Sequence, residues 1–141
     1  MYNQSVTTPS QALCHLYFHC SFKDGTLSSP EADAMADRFV ALGIQKELHF
    51  KEEMKAYQAY KKNIIDEWLY LEYLIKLISP VNTLALYSWC VELVVSDEQF
   101  DHTEEDLLKK IASLLEIDEQ QQQVIFKLML ERKVVETEKI V

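Results

Sequence analysis

The sequence predicts an all-α protein, a bundle of about seven helices built from two related helix–acidic turn–helix halves. Three observations predict it. Only two glycines and three prolines occur among 141 residues, too few turn formers for a fold rich in hairpins. Apolar residues recur at three- and four-residue spacing along most of the chain. One pattern also occurs twice in a single register, as KDGTLSSPEADAMADRFVALGI from Lys23 and SDEQFDHTEEDLLKKIASLLEI from Ser96. Asp24 and Asp97 lie 73 positions apart, and the same shift carries Leu27 onto Phe100, Ser28 onto Asp101, Glu31 onto Glu104 and Met35 onto Leu108. It also carries Leu42 onto Leu115, Ile44 onto Ile117, and upstream Leu13 onto Leu86 and Tyr17 onto Cys90.

The elements follow in order. Ser10 is placed to cap a first helix reaching about Phe22, with Leu13, Leu16, Tyr17 and Cys20 as its apolar stripe. The Lys23-Asp24-Gly25 turn ends it. Ser29-Pro30 opens a second helix, since proline suits the first helical turn. Met35, Phe39 and Leu42 form its buried stripe, and Gly43 stands where a left-handed C-terminal cap belongs. From Lys46 to about Ser79 the spacing of Phe50, Met54, Tyr57 and Tyr60 and the aromatic run at Trp68, Tyr70 and Tyr73 predict two helices, broken near Lys62-Asn63. Trp68 and Tyr70 differ by about 200° around a helix, so one of them faces outward or packs against a second molecule. Ser79-Pro80 restarts the pattern, and the second copy runs to Glu116. Asp118 and Gln121 form a capping box for a last helix reaching about Glu136.

At 48% hydrophobic residues the chain can bury a proper core, and its length fits one domain over 1–141 with a core of about 13–132. The net charge of −9 repels phosphate backbones and argues against nucleic-acid binding. No apolar stretch is long enough to span a bilayer, and MYNQSVTTPSQ has neither the basic head nor the apolar run of an export signal. Three cysteines without a CxxC pair fit a reducing cytoplasm.

The acidic turns are where any chemistry would sit. Asp24 and Glu31 in the first copy, and Asp97, Asp101, Glu104 and Glu105 in the second, set carboxylates at a turn and the start of the following helix. Such oxygen donors suit a hard divalent cation, calcium or magnesium. The same residues read as helix caps, because Ser28-x-x-Glu31 and Asp101-x-x-Glu104 are capping boxes and acids favour a helix N-terminus. Neither turn has the spacing of an EF-hand loop.

With Asp24, Gly25, Leu27, Ser28 and Glu31 leading into the stripe through Leu42-Gly43-Ile44, and Asp97, Phe100 and Glu104 repeating them, the chain resembles the tellurite-resistance TerB family over about 13–132. The resemblance implies a bundle of about seven helices in two related halves. It also implies a cytoplasmic, non-enzymatic protein tied to stress or metal-oxyanion resistance, with Asp24, Glu31, Asp97 and Glu104 as the divalent-cation ligands. The second copy has Glu98 where the first has Gly25, and the middle of the chain is unusually aromatic.

The remaining constellations carry less. His15 and His19 share a helix face, as a zinc pair requires. Cys20 lies on the stripe nearly opposite, so the run from Cys14 to Cys20 cannot close a tetrahedral shell. The pair is expected to face solvent or a partner. Cys14 and Cys90 read as small core residues, and His49 and His102 as surface residues. Glu47 precedes His49 by one position too few for a di-iron Glu-x-x-His motif. No catalytic signature is present, so the expected protein is not an enzyme. The alternative to a cation-binding module is a structural interaction module, in which the acids only cap helices and the aromatic mid-section docks a protein partner or a second copy.

Overall fold

The computed structural model describes residues 2–22, 37, 49–95 and 102–137, with the backbone alone at 22, 95, 102–104, 130 and 132–137. Among the described residues there are seven α-helices and no strand: α1 (Tyr2–Ser5), α2 (Pro9–Phe22), α3 (Phe50–Tyr60), α4 (Glu67–Ile78), α5 (Thr83–Val95), α6 (His102–Leu114) and α7 (Glu119–Thr137). The chain divides into two compact units, Met1–Ser79 and Pro80–Val141. The division falls at Ser79-Pro80, where the sequence restarts its pattern. No helix among the described residues is long and apolar enough to cross a membrane.

Local chemistry accounts for the helix ends. α2 begins two residues earlier than expected, because Thr8 and not Ser10 is its cap. The Gln11 N–H donates to Thr8 Oγ1 at 3.2 Å, and Gln11 Oε1 accepts from the Thr8 N–H at 3.2 Å. That is a reciprocal capping box of the Thr-x-x-Gln type, with Pro9 in the first helical position. The break near Lys62-Asn63 is present as a 3-10 turn over Lys61–Asn63, followed by extended backbone at Ile64. Asp66 then caps α4 by accepting from the Leu69 N–H at 3.2 Å. Ser79 ends that helix in the left-handed region, at φ 47°, and Pro80 prevents its continuation.

In the second unit Asn82 caps α5 through the Ala85 N–H at 3.0 Å, and α6 starts at His102, directly after Asp101. α6 ends in a Schellman turn. The Ile117 N–H reaches the Ala112 carbonyl and the Glu116 N–H the Ser113 carbonyl, with Glu116 at φ 59°. Asp118 caps α7 by accepting from the Gln121 N–H at 2.7 Å, as expected. Of the second predicted helix only Asp37 is described; it is helical and exposed, and the Met35, Phe39 and Leu42 stripe lies outside the described residues.

In the first unit α2 packs against α3 and α4. Seven consecutive residues from Cys14 to Cys20 are all buried. At 100° per residue they cover the whole circumference, so α2 is a central helix with no solvent face, apolar nearly all round. This corrects the expectation for His15 and His19: both point inward, at 0% and 4% exposure. The angular argument presumed a one-sided helix, and α2 is not one. In the second unit α5 packs against α6 and α7 over an aliphatic core that includes Val91, Val94, Leu107 and Ile111. Cys14 and Cys90 are core residues as expected, Cys20 is buried with them, and His49 is exposed.

Candidate functional site

The most distinctive side-chain chemistry among the described residues lies inside the first unit. His15 and His19 stand four apart on α2 and therefore on one face. α3 turns Glu53, Tyr57 and Tyr60 toward them, a spacing of four and three that keeps all three on one stripe. α4 adds Glu67 and Tyr70, three apart. Each imidazole bridges a tyrosine and a carboxylate. His15 Nδ1 lies 2.5 Å from the Tyr60 hydroxyl and its Nε2 lies 2.9 Å from Glu53 Oε1. His19 repeats this with Tyr57 at 2.8 Å and Glu67 Oε2 at 2.8 Å.

The bonds around His15 have a defined direction. A carboxylate can only accept, so the His15 edge facing Glu53 carries the N–H and Nδ1 accepts from Tyr60. Tyr60, having donated to His15, accepts from the Tyr70 hydroxyl at 2.6 Å. At the outer end Gln11 Nε2–H donates to the second oxygen of Glu53 at 3.1 Å. The capping glutamine thus ties the start of α2 to α3. The chain runs Tyr70 → Tyr60 → His15 → Glu53 and leaves each of these buried groups satisfied, as a buried polar network must be if it is not to cost stability.

Electrostatics agree with this order. Burial lowers the proton affinity of His15 below the usual imidazole range, with Glu53 opposing through its hydrogen bond and charge. Burial likewise pushes the hydroxyls of Tyr60 and Tyr70 well above the ordinary phenol range. It also raises the Cys14 thiol, with the Glu53 charge adding to the effect. Cys14 is therefore a core thiol and not a nucleophile.

Around this network the aromatic rings enclose it. Tyr57 and Tyr60 meet edge to face at 5.5 Å between centroids, and Tyr70 lies 5.1 Å from His19. Tyr2 of α1 covers Tyr70 at 4.9 Å. Tyr73 donates to the Val6 carbonyl at 2.6 Å and to that of Asn3 at 3.3 Å, pinning α1 in place. With Tyr70 inward, Trp68 faces out, as the 200° separation requires. Ile65, Trp68 and Leu69 are 97%, 42% and 58% exposed, an apolar group at the entry to α4.

Asp24, Glu31 and Asp97 lie outside the described residues, as do the Ser28-x-x-Glu31 box and Asp101. Glu104 stands in the first turn of α6, where its backbone alone is described. Among the described residues no group of three or more His, Cys, Asp or Glu side chains is arranged to hold a metal ion.

A sequence model of the family described as tellurite resistance protein TerB matches residues 10–125. The chain belongs to the TerB family. The match begins one residue into α2 and ends within α7, so both the buried histidine network and the four acidic positions fall inside TerB-family sequence. No curated protein and no solved structure matches the chain.

Sequence reasoning missed Glu53, Tyr57, Tyr60, Glu67 and Tyr70 as partners of the two histidines. One signal was available. From Ala12 to Phe22 the chain carries no Asp, Glu, Lys or Arg, which marks a helix buried all round, and buried imidazoles must find polar partners.

Proposed function

We propose that this TerB-family chain is a non-enzymatic, cytoplasmic interaction module that docks a protein partner through the entry of α4. The observation that carries this reading is the exposure of Ile65, Trp68 and Leu69, all within five residues at the entry to α4. A large aromatic held outward beside two aliphatics is the composition of an interface centre. Trp68 is not needed for the interior, because Tyr70, Leu71, Leu74 and Ile75 already supply the buried face of α4. A setting in the response to metal-oxyanion stress is supported by the family description, and a reducing compartment by the buried cysteine thiols.

Two measurements test the docking. A photo-crosslinking side chain at Leu69 should yield a discrete adduct in cells, lost with Trp68→Ala, while one at exposed Lys76 should not. Sedimentation over a wide concentration range separates a second copy from a different partner. Absence of both adduct and self-association would remove the docking reading.

A second reading is a weak calcium or magnesium site at Asp24, Glu31, Asp97 and Glu104. It is supported by a family match that spans all four positions. A site filled at 100 times its dissociation constant adds about 2.7 kcal/mol, a rise of about 5–10 °C in unfolding midpoint for a domain of this size. The shift should appear on adding millimolar cation after EDTA and vanish in a folded Asp24→Ala/Glu31→Ala variant. A flat response to both cations would leave the acids as caps.

A further inference from the structure

The hydrogen-bond chain at His15 has one direction only while the imidazole carries a single proton. In that state Tyr70 donates to Tyr60, Tyr60 donates to Nδ1, and Nε2–H donates to Glu53. Adding a proton converts Nδ1 from acceptor to donor. The Tyr60 hydroxyl must then accept from His15. Tyr60 and Tyr70 are left with two hydrogens and a single hydrogen bond between them, so one of the two O–H groups must find another partner. The one hydrogen bond of Tyr70 among the described residues is to Tyr60, and the rings of Tyr2, His19 and Tyr60 meet its ring in edge contacts at 4.9, 5.1 and 5.8 Å. One proton at His15 therefore orphans a donor on a different helix.

We infer that His15, Tyr60 and Tyr70 form an acid-sensitive latch, which holds α2 against α3 and α4 while His15 is neutral and releases them when it is protonated. The inference does not depend on the docking reading.

The groups facing the latch come from every packed element. α3 presents Glu53, Tyr57 and Tyr60; α4 presents Tyr70, and Glu67 through His19; α1 presents Tyr2; α2 itself carries Cys14 and His19. Glu53 alone favours the imidazolium directly, by its charge and hydrogen bond. It lies at the rim, with one oxygen shared with Gln11, so its pull is partly screened. Burial of the fully enclosed ring outweighs it. The unfolded chain, whose histidines titrate near 6.5, thus binds the proton more tightly than the folded one. Stability is fully present above about pH 6.5 and is lost as pH falls from there toward the lower folded value.

Nitrogen-detected NMR of the His15 ring in the intact chain, from pH 8 to 5, reads the latch directly. The expected result is a single proton on Nε2 at pH 7 and a titration midpoint below 6.5. Urea unfolding over the same range, compared with His15→Gln, should show an excess dependence in the native sequence. Its unfolding constant should rise by up to about tenfold per pH unit relative to the variant. Amide exchange corrected for intrinsic rate should lose protection first in α2, α3 and α4.

Should His15→Gln fail to fold, His15→Asn replaces it. Neither amide titrates, so the loss of stability on acidification should shrink. A doubly protonated His15 at pH 7, a proton on Nδ1 instead of Nε2, or equal pH dependence in the native chain and the folded variants would overturn the latch.

Discussion

Helices α2 and α5 stand in the same register of the repeated pattern, yet they bury different chemistry. The 73-residue shift sets His15 against Ser88 and His19 against Glu92. On α2 both histidines reach across to two other helices. On α5 the half-buried Ser88 turns its hydroxyl back to the Leu84 carbonyl of its own helix at 2.8 Å, and the buried residues of the second unit are mostly aliphatic. Hydrocarbon packing is non-directional and is felt mainly as volume. A hydrogen-bonded network is directional, and losing one member leaves the others wrongly oriented. The first unit is therefore specified by orientation and the second by fit. That contrast can be broken from either side.

The largest effect belongs to the second unit. Ile111→Ala empties a fully buried site and should cost about 2–5 kcal/mol in urea unfolding. That loss should be nearly equal at pH 6 and pH 8, because no titrating group is touched. Next comes His15→Gln in the first unit, which removes the imidazole that bridges Tyr60 and Glu53 and should cost about 1–3 kcal/mol at pH 7.5. Unlike the isoleucine change, its cost should narrow as pH falls below 6.5, since only the native chain then loses stability to a proton on His15. A constant gap across pH would erase the distinction between the two cores.

The smallest effect is a gain. Glu116 holds φ 59° at the end of α6, a conformation glycine adopts without steric penalty. Glu116→Gly should raise stability by up to about 1 kcal/mol, read as a higher unfolding midpoint. Gly43, its counterpart in the repeated register, already has that residue type.

Much of the fold was legible because it depends on neighbours a few residues apart. The Asp118–Gln121 cap, the break at Lys62-Asn63 and the opposition of Trp68 and Tyr70 around α4 all follow from local spacing or turn chemistry, whereas the left-handed turn at Glu116 carries no glycine to mark it. Thr8 was missed in favour of Ser10 by two residues, because both hydroxyls precede the apolar stripe and only Thr8 has Gln11 three positions on. The histidine network was not legible in the same way. His15 finds Glu53 and Tyr60 at separations of 38 and 45 residues, and His19 finds Glu67 at 48. Helical angles on α2 alone carry no information about what three packed helices enclose. The four acidic positions were legible as a motif, and no local spacing encodes how residues 73 positions apart lie relative to one another.

The four-residue helix α1 has a consequence for watching this protein at work. A helix that short cannot persist by itself in water; it is held by the Tyr73 hydroxyl on the Asn3 carbonyl within it and the Val6 carbonyl just after it, and by the Tyr2 ring resting on Tyr70. It behaves as a gauge needle resting on the interior. A small fluorophore at exposed Gln4 would swing free as soon as Tyr70 or Tyr73 let go, signalling an early disturbance of the tyrosine cluster while the helices beneath were still closed.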